Sequence, residues 1–170
     1  MKKSGLSRLA RAVCVMAVCA VVFAAAPGRA AVPMPGFALN NALGGEAVDS
    51  RSFAGKVLLI SFFATWCPPC VEEVSTFIGL QSDYDKDGFS IVALSVDQGG
   101  VEPVVSLIEK RKINYPVLMA DEETMEKFGG VYGIPVSFLV NRAGNVVKKY
   151  PGYVPKSILQ RDIEGLLGES

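Results

Sequence analysis

The sequence predicts an α/β domain, a central mixed sheet with helices on both faces. Three observations point there. Two apolar runs of strand length, Val57 to Phe63 and Phe89 to Val96, lack the alternation of a half-exposed strand and so read as strands buried on both faces. Each is followed by a segment whose apolar residues recur at helical spacing. The chain then closes on two shorter strands about a turn and a final amphipathic helix, so strands and helices alternate along most of its length.

Residues 1–30 stand outside this pattern. Lys2, Lys3, Arg8 and Arg11 precede a chargeless Ala- and Val-rich stretch at 12–26, and Gly28-Arg29-Ala30 follows as a small-x-small site. A basic, an apolar and a cleavage region in that order make an export signal. The apolar stretch is shorter than the roughly 20 residues a spanning helix needs, so cleavage is the expectation and an uncleaved anchor over residues 12–26 the alternative. Cys14 and Cys19 lie in this stretch and read as apolar filler. Residues 31–170 are then a single domain, exported to a periplasmic or other extracytoplasmic compartment.

Within that domain, Pro33, Pro35 and Gly36 open an N-terminal extension with a short strand or two, beginning at Phe37-Ala38-Leu39. After the strand 57–63, Pro68 suits the first position of a helix, where its missing N–H is no loss. That helix runs through Val71, Val74, Phe77, Ile78 and Gln81 to a turn at 83–88. A second helix covers 101–112, with Val104, Val105 and Ile108 on one side. Tyr115 to Met119 and Glu122 to Phe128 supply a short strand and helix. Val136–Val140 pairs with Val146–Tyr150 as a hairpin, and Ser157–Leu167 forms the last helix.

Composition excludes whole classes of chemistry. The chain has no histidine, which removes Ser-His-Asp and Cys-His nucleophilic catalysis and most zinc and copper sites. Without the leader, twelve basic face seventeen acidic residues, a net charge of −5. Such a surface lacks the positive footprint that nucleic acid demands. Outside the leader only Cys67 and Cys70 remain, and the loop they could close is too short to constrain an unfolded chain much. A redox role is therefore the stronger reading, because thiol-disulfide exchange needs only a thiolate, a second thiol and a route for a proton. Neither a metal nor a cofactor is required.

Trp66-Cys67-Pro68-Pro69-Cys70 between a buried strand and a helix, with Gly133-Ile134-Pro135 just before a later strand, resembles the thioredoxin superfamily over residues 36–168. The 65 positions from Cys70 to Pro135 exceed the minimal thioredoxin fold by about a strand and a helix, which Tyr115 to Phe128 supply. This central insert, the N-terminal extension and the run Phe62 to Cys70 are similar to the TlpA/ResA-type branch. That resemblance implies an exported or membrane-tethered protein thiol-disulfide oxidoreductase, acting on disulfide-containing exported proteins, in some members in cytochrome c maturation, and recharged by a membrane thiol donor.

The resemblance also assigns roles. Cys67, at the helix start where orphan N–H groups and the helix dipole favour a negative sulfur, is the expected attacking thiolate; Cys70, one turn in, is the expected resolving thiol. The minimal thioredoxins carry a buried Asp six residues before the first cysteine, and here Ser61 stands in that place. Glu73, three residues after Cys70, occupies the position where TlpA/ResA-type proteins often carry a proton-shuttling acid, with Glu72 as the competing candidate for an ordinary helix-start acid. Pro135 resembles a cis-proline beside the cysteines; the backbone of Ile134 would pair with an extended substrate segment and Trp66 would cover one flank of the groove. Gly152 and Tyr153 are candidates for its third side. Pro68 and Pro69 donate no N–H to the thiolate, which points to a reductant; a disulfide-forming oxidase is the runner-up and a dithiol copper chaperone a more distant alternative. Ala64 and Ile60 occupy the Thr and Pro positions a peroxiredoxin would need.

Overall fold

A computed structural model describes residues 31–168, so the leader, including Cys14, Cys19 and the anchor alternative over 12–26, lies outside the described residues. The strands are β1 (Val32–Pro33), β2 (Ala38–Asn40), β3 (Ala47–Asp49), β4 (Val57–Phe63), β5 (Phe89–Ser95), β6 (Val117–Met119), β7 (Val136–Val140) and β8 (Asn145–Pro151); the α-helices are α1 (Pro68–Tyr84), α2 (Glu102–Arg111), α3 (Glu122–Lys127) and α4 (Lys156–Leu167). Six strands form one sheet in the order β1-β8-β7-β4-β5-β6. The β4, β5 and β6 strands are parallel, while β7 and β8 run antiparallel beside β4. This is the mixed sheet the sequence predicts.

The two-fold period of the strands divides the core. Val57, Leu59 and Phe63 of β4 and Phe89, Ile91 and Ala93 of β5 face α1, α2 and α4, which bury Phe77, Leu80, Val104, Ile108, Leu159 and Ile163 against them. Leu58, Ile60 and Phe62 with Val92 and Leu94 face the other way, onto Leu39, Phe53 and Phe128. Phe62 is wholly buried there and meets Phe128 and Phe138 edge to face, with ring centroids 5.2 and 6.1 Å apart. Helices thus lie on both faces, but unequally: three long helices cover one, while the short α3 and the N-terminal extension share the other.

The extension does more than the sequence suggests. β2 and β3 pair as a separate two-stranded sheet, and Val32–Pro33 adds a sixth strand to the edge of the main one beside β8. A two-residue strand carries no periodicity, and Pro33 is tolerated because it sits at an edge. The insert is where the spacing places it, with β6 extending the sheet beyond β5. Small boundary shifts remain: β5 ends at Ser95, and β8 reaches Pro151 past an irregularity in the ladder at Leu139/Val140.

Candidate active site

The end of β4 builds the site. Beyond Phe63 the chain turns, the Cys67 N–H donating to the Ala64 carbonyl at 3.2 Å, and Cys67 becomes the N-cap of α1 with extended backbone angles. An N-cap side chain ordinarily accepts from the second or third helical N–H. Pro68 and Pro69 fill the first two helical positions, so only the third, Cys70, still carries one. Cys67 makes no such side-chain bond, and its sulfur is instead in a disulfide with Cys70, the Cα atoms 5.3 Å apart. Both cysteines are buried, whereas Trp66 immediately before them is 68% exposed.

The loop before β7 closes over the pair. The Ile134–Pro135 bond is cis, as the sequence leads one to expect, and the Ile134 carbonyl oxygen lies 3.8 Å from the Cys67 sulfur. The Gly152 N–H, just after β8, donates to the Pro135 carbonyl at 2.8 Å and holds this loop from the far side.

Glu73 sits one turn beyond Cys70 and is 1% exposed, while Glu72 faces solvent. Its Oε1 accepts a 2.8 Å hydrogen bond from the Val154 N–H. Burial pushes the carboxyl from its ordinary 4.5 up to about 7, against the smaller opposing pull of that bond. Tyr115, stacked edge to face on Phe77 one helical turn further on, has its phenol raised by burial and by the Glu73 charge. Ser61, beneath the site, accepts from the Ser137 hydroxyl at 2.9 Å, and both are buried. That hydroxyl pair fills the place where β4 could have offered a carboxylate.

Two clefts lie beside the site, one at the cis-proline loop and one at Trp66, and share Val131. One, of about 350 Å³, is lined by Tyr132, Ile134, Pro135, Lys149 and Gly152; the other, of about 330 Å³, by Trp66, Val96, Gln98 and Met125. Trp66 thus lines one cleft, and Ile134 and Pro135 line the other. Gly152 lines the first cleft as expected, and Tyr153 does not. The sequence gives no sign of three other contributors. Tyr132, 97% exposed, stands on a Gly-rich loop; Val154 acts through its backbone; Asp97 at the end of β5 accepts from the Thr65 N–H and hydroxyl two residues before Cys67.

A cysteine pair at a helix N-terminus, behind a cis-proline at the end of a mixed sheet, defines a thiol-disulfide oxidoreductase of the thioredoxin superfamily. The chain belongs to the redoxin family, whose model matches residues 29–167. It is of the TlpA/ResA type: it is 30% identical over 129 residues to the thiol-disulfide oxidoreductase ResA of a Bacillus cereus strain, covering 74% of this chain and 72% of the relative. ResA of Bacillus subtilis (strain 168) is 27% identical over 126 residues, covering 74% and 69%. Among solved structures, a thiol:disulfide interchange protein of the thioredoxin family from Chlorobium tepidum TLS superposes with a TM-score of 0.75 at 33% identity, over 81% of this chain and 97% of that one.

Proposed function

We propose that the protein is an exported reductant of protein disulfides, with Cys67 as the attacking thiolate, Cys70 as the resolving thiol and Glu73 as the proton acceptor. In the reduced protein the Cys67 thiolate attacks one sulfur of a substrate disulfide, and the other substrate sulfur leaves and takes a proton. Cys70 gives its proton to the Glu73 carboxylate and attacks the Cys67 sulfur. The first substrate sulfur then leaves, and the Cys67–Cys70 disulfide remains. Two electrons have passed to the substrate, and an external dithiol, a membrane donor in this reading, must return them. Ile134 and Pro135 would hold the extended substrate segment, and Trp66 would cover its neighbouring side.

The observation that carries the direction is the pair of prolines at the first two helical positions, because Pro69, at the second, removes one of the two N–H groups from which an N-cap Cys67 thiolate could accept. A thiolate with fewer donors makes a less oxidising couple, nearer the roughly −270 mV of thioredoxin than the −120 mV of DsbA. Equilibration of residues 31–170 with glutathione should place the couple in the lower half of that range; a value near that of DsbA would make the protein an oxidase. The leader reading is checked by mass spectrometry of the protein from its host. It predicts a mature chain starting near Ala31, and an intact N-terminus in the membrane fraction would make residues 12–26 an anchor. Service to apocytochrome c thiols is the substrate reading that the TlpA/ResA resemblance favours. It predicts mixed disulfides between a Cys70→Ser variant and apocytochrome; capture of unrelated proteins alone would count against it.

A further inference from the structure

We propose that Asp97 is a positioning residue of the dithiol site: through Thr65 its carboxylate locks the turn that presents Trp66 and Cys67, and it holds a fixed negative charge at the mouth of the site. The turn Ala64–Cys67 has Thr65 as its second residue, and the Asp97 carboxylate takes both of that residue's donors, the hydroxyl at 2.6 Å and the N–H at 3.0 Å. The Ser95 hydroxyl donates to the same carboxylate at 2.7 Å and in turn accepts from the Asp97 N–H at 3.1 Å. Behind this lattice the Val96 N–H bonds the Phe63 carbonyl at 2.9 Å, tying the end of β5 to the end of β4. The turn is thereby fixed to the sheet from the side opposite the Ile134 carbonyl, and the next residue, Gln98, lines the cleft with Trp66.

The charge is as significant as the bonds. Among the described residues no lysine or arginine pairs with Asp97. The other titratable groups about the dithiol are Glu73 from within α1, Tyr115 from the segment before β6 and the exposed Tyr132 of the loop before β7; Lys149, the cation of the neighbouring cleft, sits over the Phe138 ring. Thr65 binds the carboxylate and stands two residues from Cys67, so chain reach bounds the separation of carboxylate and sulfur at on the order of 10 Å. At that separation in a partly buried site an unpaired anion lowers the population of a thiolate by about two- to tenfold. It thus acts in the same direction as Pro69.

The inference rests on the dithiol being the reacting pair, and three variants separate its parts. Asp97→Asn removes the charge; its one amide oxygen can take both Thr65 donors, as Oδ1 does now at 2.6 and 3.3 Å, and its amide N–H can donate to the Ser95 hydroxyl in place of the bond the carboxylate accepts. It should raise the Cys67 thiolate fraction near neutral pH by about two- to tenfold, read from alkylation rates against pH, and move the glutathione equilibrium toward the dithiol by up to the same factor. Asp97→Ala loses the lock as well. It should slow reduction of a protein disulfide several-fold at saturating pH, where the thiolate is fully formed, and Asp97→Asn should rescue that rate. Thr65→Val, which keeps the charge and loses the hydroxyl, should show the slowing without the thiolate change. An unaltered thiolate titration in Asp97→Asn, or an unaltered reduction rate in Asp97→Ala, overturns the proposal. A strongly oxidising wild-type potential would instead defeat the reductant reading and leave the difference between variants intact.

Discussion

Replacing Glu73 with Gln removes one ionisable group from the core while keeping its shape. A glutamine Oε1 still accepts the Val154 N–H, so the bond between α1 and the segment after β8 survives. What changes is the coupling of stability to pH. In the oxidised protein burial raises the carboxyl from 4.5 to about 7, so the folded state holds this proton more tightly than the unfolded chain does. The resulting stabilisation is fully present below about pH 4.5 and is lost as the pH rises through about 7. One pKa unit corresponds to about 1.4 kcal/mol, which sets a ceiling of about 3 kcal/mol; solvent screening through the mouth of the site brings it to the order of 2. Urea unfolding of the oxidised wild type and Glu73→Gln, compared at pH 4.5 and pH 8, reads the effect as the change in their difference. The wild type should lose ground to the variant by that amount on going to pH 8, while Glu72→Gln, at an exposed position, should show no such trend. Turnover near neutral pH should fall in Glu73→Gln and its dependence on pH should flatten. A stability difference that does not vary with pH would refute the raised carboxyl, and unchanged turnover would refute its role as acceptor.

Cys67→Ser should abolish reduction of insulin disulfides, whereas Cys70→Ser should accumulate a mixed disulfide with substrate that a non-reducing gel resolves; activity retained in Cys67→Ser would discard the mechanism. Phe62→Ala, at a wholly buried ring between Phe128 and Phe138, should destabilise the protein by about 3–5 kcal/mol, seen as a lower urea midpoint with an unchanged slope. A loss under about 1 kcal/mol would mean that the second core does not depend on this ring.

The long elements were legible because their signals are strong and local. Val57 to Phe63 and Phe89 to Ser95 are apolar but for Ser61, Ser90 and Ser95 and are buried along their whole length, and Pro68 marks the start of α1. The cysteine pair and the Ile134-Pro135 step were legible because their residue types are rare in that order. The remaining contributors were hidden for physical reasons. Val154 holds Glu73 by a backbone N–H, a group every residue but proline has, so no side-chain pattern announces it. Asp97 reaches Thr65 across 32 positions and becomes a neighbour only when β4 and β5 pair in parallel register. The division of Trp66 from Ile134 and Pro135 into two clefts depends on where the Gly129-Gly130 loop carries Val131 and Tyr132, and glycines permit that path without specifying it. β1 has too few residues for any period.

Four features of the site bear on the same thiolate, and their signs can be compared. The N-terminus of α1 favours it, through the helix dipole and the Cys70 N–H, a contribution of about 0.3–1 kcal/mol for an exposed site and about 2 for a partly buried one. Pro69 deletes one of the donors that would deliver this contribution, and Asp97 opposes what is left with a full charge rather than a partial one. A buried carboxylate at Glu73 disfavours a second negative charge nearby for as long as it is ionised, and it ceases to do so once it has taken the Cys70 proton. The helix end is therefore the only feature among these that stabilises the thiolate, and it is weakened where the chain could have strengthened it. Because a couple becomes more reducing as its thiolate becomes less stable relative to the disulfide, the opposing terms point the same way. Reversing them one at a time, by Pro69→Ala and then Asp97→Asn, should raise the potential in steps that add, since one restores an N–H within reach of the N-cap sulfur and the other removes a charge on a different element. Steps that fail to add would mean that the turn itself, rather than the two electrostatic terms, sets the potential.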